Sequence, residues 1–260
     1  MITVFFELVG KIGRSTLEFL SELGRFAALM TRVMREMGGV FKDRQLFIQE
    51  CVTLGVDSLP LVLTVGIFTG AVSGWQGHYQ LAAYMPLDLI GPGTFKGVML
   101  ELGPVLTALI IAGRVSASIA AEIGTMKVTE QIDALETMAI SSVRYLAVPR
   151  IAAMTVMMPV LVIQAVGVAM FGAYFVLTFF LSVSSHQFWG LIPAFFNIYD
   201  VFAGLFKSFF FGLSASMIGC YIGFRTEGGA EGVGQATIMA FVWACLTILV
   251  LDFILAVILF

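Results

Sequence analysis

Charge is what this chain has least of. Only 12% of its 260 residues are Asp, Glu, Lys or Arg, against roughly 25% in an ordinary soluble domain. A water-soluble fold of this length could not cover its surface with so few polar groups, and the mean hydropathy of +0.99 agrees. Cysteine is scarce too. Cys51, Cys220 and Cys245 are odd in number, far apart and in no CxxC pair, so they read as buried, reduced thiols rather than a disulfide or zinc framework. His78 and His186 are isolated and propose no metal site. No GxxxxGK[ST] is present, so the chain has no P-loop to cradle a nucleotide. No basic patch with interleaved aromatics suggests nucleic acid. The opening MITVFFELVG lacks the basic n-region and cleavage site of a secretory signal.

Long apolar runs take the place of charge. A bilayer core of roughly 30 Å needs about 20 apolar residues in a helix. Five segments qualify: Val52 to Gln76, Gly97 to Ala120, Val148 to Phe180, Val201 to Phe224 and Ala236 to Phe260. The expected fold is therefore an all-α integral membrane protein, a single domain over 1–260 with a five-span core from residue 51. The first fifty residues differ in character. Leu20, Leu23, Ala27, Met30, Met34 and Met37 recur at spacings of three and four, with Glu18, Glu22, Arg25, Arg32, Arg35 and Glu36 on other faces. That pattern predicts an amphipathic helix ended by Gly38-Gly39, lying in the membrane interface or packed on a soluble partner.

Lys11, Arg14, Arg25, Arg32, Arg35, Lys42 and Arg44 precede the first span. Arg114, Lys127, Arg144 and Arg150 flank or occupy the second connection, and Arg225 lies in the fourth. Lys96 and Lys207 fall to the other side. The positive-inside rule places the N-terminus in the cytoplasm and, with five spans, the C-terminus outside.

The second connection, AAEIGTMKVTEQIDALETMAI over 120–140, then faces the cytoplasm. Val128, Ile132, Leu135 and Ala139 share a helical face, while Glu130, Asp133 and Thr137 lie on another. Thr129 is placed to cap such a helix, and Glu130 to meet the positive end of its dipole. A bare linker needs no such pattern. An amphipathic helix here suits docking on a partner protein, and its acidic charge disfavours anionic headgroups.

Within the spans, Glu101 stands one turn inside the second, just ahead of Gly103-Pro104. An intramembrane carboxylate faces the bundle interior or a wet cavity, so Glu101 either serves a site or makes a structural interhelical bond. Arg114 is thirteen residues on, too far along the helix to meet it, and reads as a snorkelling or capping residue. Asp252 lies deep in the last span and is either protonated or paired with another helix. Gly66, Gly70 and Gly74 allow close approach of a helix, within the chain or from a second copy. Gly228, Gly229, Gly232 and Gly234 read as a tight turn. Trp75, Gln76 and Tyr84 sit where interfacial aromatics anchor.

The run ELGPVLTALIIAGRVSASIAAEIGTMKVTEQIDALETMAISSVRYLAVPRIAA resembles the permease subunits of Mla/Mce-type lipid ABC transporters, as does GGAEGVGQAT. The likeness extends over roughly residues 50 to 260 and is densest between Glu101 and Ala153. It implies a bacterial inner-membrane, multi-pass permease that acts as a homodimer. It further implies a cytoplasmic ATPase that consumes the ATP, a periplasmic Mce-domain carrier, and phospholipid or a related lipid as cargo. The chain would bind no cofactor and catalyse no bond chemistry. By the same resemblance, Glu122–Ile140 is the coupling helix that enters a groove of the ATPase, with Glu122, Lys127, Glu130, Gln131, Asp133 and Glu136 as its polar residues. The lipid pocket would be bordered by Trp75, Gln76, Tyr84, Leu100 and Glu101. Leu100 stands where some relatives have Arg, so the resemblance carries no charged phosphate contact to it. A proton-coupled secondary transporter using Glu101 and Asp252 is the competing reading, and it gives no reason for the acidic helix.

Overall fold

Apolar runs in lipid must satisfy their backbone internally, and a helix is the simplest way to do so. In the computed structural model, every regular element among the described residues is helical. It describes residues 2–41, 43–81, 84 and 86–260, with side chains at Leu17 and from Leu20 onward, except 40–42, 81–83 and 85. A long N-terminal helix, Ile2–Glu36, leads through a tight turn into the first span. The five spans are Arg44–Gln80, Leu87–Val128, Val143–Leu181, Ile198–Phe224 and Gly229–Leu259. Between the second and third lies the short helix Gln131–Thr137. Two more short helices, Ser185–Trp189 and Ile192–Phe195, join the third and fourth.

The fourth span runs through the middle of the bundle, against the second, third and fifth. Ile111, Ile119, Met154, Met158, Phe211 and Ala215 fill the core among them. The first span lies along the third, and here the glycine stripe finds its use. A Cβ at Gly70 would overlap the carbonyl of Ala169, one at Gly66 would stand 2.9 Å from the carbonyl of Ala165, and one at Gly74 3.1 Å from Ala173. Gly66, Gly70 and Gly74 thus meet Ala165, Ala169 and Ala173, a small-residue seam within one chain. The seam resolves the open choice for this stripe: its close contact is internal, not with a second copy.

The N-terminal helix, the short helix Gln131–Thr137 and the Gly228 turn share one end of the bundle, where Arg25, Lys127, Arg144 and Arg225 also lie. The sequence-read apolar stripe Leu20, Leu23, Met30 and Met34 is exposed, as an interfacial helix requires. A second face carries the contact with the bundle. Val33 is buried, Phe26 packs edge-on against Tyr221, and Glu36 accepts a bond from Ser141. Glu22 holds this helix to the fourth span, accepting from Tyr221 at 2.6 Å and from Arg225. The chain ends at the opposite end, where the Tyr199 hydroxyl donates to the carbonyl of Leu259.

Several expectations need correction. The helix expected over 122–140 is shorter: Glu122 and Lys127 belong to the second span's own helix, because nothing breaks that helix before Thr129. Thr129 is not an N-cap. Its hydroxyl bonds back to Thr125 at 2.7 Å, and Glu130, at φ 61°, turns the chain. Lys207 does not belong with the outer-side charges; it is wholly buried inside the fourth span. Of the terminal glycines, Gly228 and Gly229 take positive φ and Gly232 lies close against Glu227, whereas Gly234 has open space around it.

Candidate functional site

Three features stand out for function, and the first is an intramembrane charge cluster. The Lys207 ammonium donates to Glu101 at 2.7 Å, to Asp252 at 3.0 Å and to the carbonyl of Leu100 at 3.4 Å. All three of its donors are used, which is what a buried ammonium needs. The third acceptor has a covalent origin. Pro104 has no N–H to offer the carbonyl four residues back, so that of Leu100 is free for Lys207. Glu101 and Leu100 also sit in a widened π-type turn, Val98–Leu102. Lys207 is 0% exposed while the Glu101 side chain is 45% exposed, so the face the cluster presents outward is a carboxylate. Asp252 is therefore paired on another helix, and the interhelical bond considered for Glu101 is present. Arg114 lies in another such turn, Ala112–Ser116, and donates to Ser58 on the first span.

The second feature is a groove of about 750 Å³ between the first and second spans, toward the end away from the N-terminal helix. Phe68, Val72, Leu102 and Leu106 give it apolar walls, and Gln76 and Thr94 add polar groups. Of the five residues assigned to a lipid pocket, Gln76 lines this groove. Trp75 turns away to meet Phe180 edge-on, Tyr84 is exposed in the turn beyond the span, and Leu100 and Glu101 face the Lys207 cluster.

The third feature is the short helix. Ile132 is buried and Leu135 half-buried against the bundle core, so the stripe that looked available for a partner is spent inside the chain. What remains outward is polar: Glu130, Gln131 and Asp133 are exposed, with Met138 beside them. Lys127 bridges to Asp133 at 3.0 Å, and Glu136 accepts from Ser142. At its base, Glu122 takes one nitrogen of the buried Arg150 at 2.9 Å, and Glu50 of the first span lies 3.3 Å from another. Arg150 thus ties together the first three spans where the short helix is attached.

With this geometry in place, known proteins add a decisive observation. The family model described as "Permease MlaE" matches residues 47–258. The chain belongs to the MlaE permease family. It is 34% identical over 97% of its length to the intermembrane phospholipid transport system permease protein MlaE of Haemophilus influenzae, with 97% of that protein covered. A probable ABC transporter permease of Rickettsia typhi is 35% identical, with 96% of each chain covered. Another from Synechocystis is 37% identical over 84% of this chain and 83% of that one. The protein is thus an ABC transporter permease, a multi-pass membrane protein related to a phospholipid transporter.

For an MlaE-family permease the proton-carrier alternative loses its ground, since an ABC transporter draws on ATP and Lys207 holds both proposed carriers. Sequence reasoning missed the groove's apolar walls and its other polar residues, Thr69, Ser73, Gln80 and Thr94. A signal was there to find, because Thr69, Ser73, Gln76 and Gln80 are spaced four, three and four apart on the first span. It also missed Lys207, whose partners are 106 and 45 residues away.

Proposed function

We propose that this chain is the membrane subunit that passes phospholipid, or a related lipid, between the bacterial inner membrane and a periplasmic Mce-type carrier. A separate cytoplasmic ATPase powers it, and two copies of the chain enclose the path. The N-terminal helix lies on the cytoplasmic surface and the C-terminus is periplasmic, as the basic residues gathered at one end favour. The chain itself binds no nucleotide or cofactor and makes or breaks no bond.

The observation that carries this reading is the helix Gln131–Thr137. A helix whose apolar side is already buried in its own bundle, yet which projects Glu130, Gln131 and Asp133 from the basic end, has a surface for a soluble partner. The half-exposed Glu101 supports a dimer, because a carboxylate does not face hydrocarbon and a second copy or a wet cavity must cover it. The lipid path is assigned to the groove at Gln76 and to its border with Glu101, with Trp75, Tyr84 and Leu100 at the rim.

Glu130→Lys combined with Asp133→Lys tests the docking. The permease should remain in the membrane while its ATPase no longer co-purifies. Undiminished co-purification removes the docking role from this face.

A further inference from the structure

The N-terminal helix has three faces. Glu22, Phe26 and Val33 meet the bundle, and Leu20, Leu23, Met30 and Met34 form the exposed apolar stripe. At about 100° per residue, Arg32 lies roughly 160° around the helix from Met30 and Met34, and Arg35 roughly 100° from Met34. With the stripe in the lipid boundary, these two arginines are turned toward the cytoplasm. Both are exposed, and among the described residues neither makes a hydrogen bond or an ion pair. Arg25, by contrast, is held by Glu22 at 2.7 Å, and Arg144 and Arg225 have carboxylates of their own.

Arg32 and Arg35 line a pocket of about 490 Å³, within the roughly 300–1,000 Å³ of ordinary ligand sites. Glu36 shares their wall, and Glu136, Ser141 and Ser142 come from the hairpin between the second and third spans. The end of the short helix shapes that hairpin. Ala139 takes φ 58°, its N–H donates to the carbonyl of Glu136, and that of Ile140 donates to Leu135, both at 3.0 Å. This is a Schellman closure with alanine where glycine is usual. Beyond it, Ser141 donates to Glu36 at 2.9 Å and Ser142 to Glu136 at 3.0 Å. Among the described residues, the pocket's two carboxylates are engaged by hydroxyls and its two guanidiniums have no counter-ion.

We propose that this pocket receives an acidic segment of the cytoplasmic ATPase. Asp or Glu carboxylates of that segment take the forks of Arg32 and Arg35, the side chain best shaped for bidentate pairing. The contact is opposite in sign to the outward face of the short helix, where Glu130 and Asp133 are exposed. The docking surface therefore carries an acidic patch before the Ala139 turn and a basic one after it. A partner set in the wrong orientation, or the ATPase of another transporter, meets like charges, so the two patches together select the partner and its register. An anionic headgroup is the poorer occupant, because the apolar stripe turns Arg32 away from the bilayer. This rests on the reading of this end as the ATPase-docking end, and the test separates the two.

The full-length permease is placed in nanodiscs containing phosphatidylglycerol and titrated with its ATPase. Arg32→Glu with Arg35→Glu should weaken binding about tenfold or more at low salt, and the deficit should shrink as salt screens the charges. The melting temperature of the permease should not move, since neither side chain has a partner to lose. Arg25→Gln, whose guanidinium already has Glu22, should bind the ATPase as the unsubstituted chain does. Unchanged affinity in the double variant would overturn the pocket. If Glu130→Lys with Asp133→Lys still releases the ATPase, docking through the short helix stands without it; if neither pair of substitutions alters capture, the docking reading falls as well. Arg32→Lys with Arg35→Lys, treated with carbodiimide, should link an amine at 32 or 35 to an Asp or Glu of the ATPase, read by mass spectrometry. Links confined to Glu36 or Glu136 would show a pocket closed on itself and overturn the proposal. A photo-crosslinker at position 35 that labels phosphatidylglycerol in place of the ATPase would assign the arginines to the membrane and overturn it too.

Discussion

Lys207 and Asp252 lie 45 residues apart in the chain, and their charged atoms meet at 3.0 Å inside the bundle. With Glu101 as the second acceptor, the pair joins the second, fourth and fifth spans at one buried point. An ammonium in such a place is held because its partners are there, and removing it exposes the debt on both carboxylates. Lys207→Met should therefore destabilise the protein by about 3–5 kcal/mol, read as a lower melting temperature in detergent. Adding Glu101→Gln and Asp252→Asn to the same chain should recover much of the loss. A triple variant no better than the single one would mean the cluster is not a closed unit.

The seam between the first and third spans makes a sharper steric prediction. Gly70→Val places a branched side chain on the carbonyl of Ala169 and should separate the two helices, at a cost of about 1–3 kcal/mol or more. Gly234→Ala meets open space and should leave the melting temperature within about a degree or raise it slightly, since Ala favours helix. Equal effects from the two would refute the packing.

Acid should loosen the N-terminal helix. The Tyr221 hydroxyl first, and then Arg225, hold the Glu22 carboxyl below the usual carboxylate range. A group whose folded value is lowered stabilises docking in full above its ordinary range, and the contribution disappears as pH falls through the lowered value. Proteolysis between Leu20 and Arg35 should accelerate on acidification. In Glu22→Gln the cleavage should be faster at neutral pH and largely independent of acid.

The short helix separates two kinds of defect. Ile132 is buried in the bundle core, so Ile132→Ala should cost about 2–5 kcal/mol and weaken ATPase capture only through loss of fold. Asp133→Lys should leave the melting temperature nearly unchanged, because its bridge to Lys127 is exposed, and should weaken capture directly. Measuring melting and co-purification on both variants distinguishes them.

The orientation has its own test. A C-terminal reporter that works only in the cytoplasm should stay silent in a functional fusion, and a bright signal would invert the topology.

Much of this architecture is readable from residue order alone. The five spans follow from length and hydropathy, which are local properties, and the helix at Gln131–Thr137 from a short periodic pattern. Its working face was not readable, because the stripe of Ile132 and Leu135 suits a partner or the chain's own core equally well. The N-terminal helix shows the same ambiguity. Its exposed stripe stands out in sequence, whereas the docked face at Phe26 and Val33 is identified only by Tyr221 and the connection that meets it. Charge pairing was the least legible. Counting Lys207 by position put it with the outer loops, and only three-dimensional convergence shows that a proline's missing N–H helps to hold it.

The Gly–Ala seam has a consequence for movement. Backbones in direct contact leave no compressible layer of side chains, so the first span cannot shift independently of the third without tearing that contact. On its other side the first span borders the groove, where it meets the second more loosely. The third span is therefore the spine of a book, with the first span as one cover and the second, fourth and fifth as the other. The first and third spans therefore move as one body, and any change in the width of the groove is a change between that body and the second span.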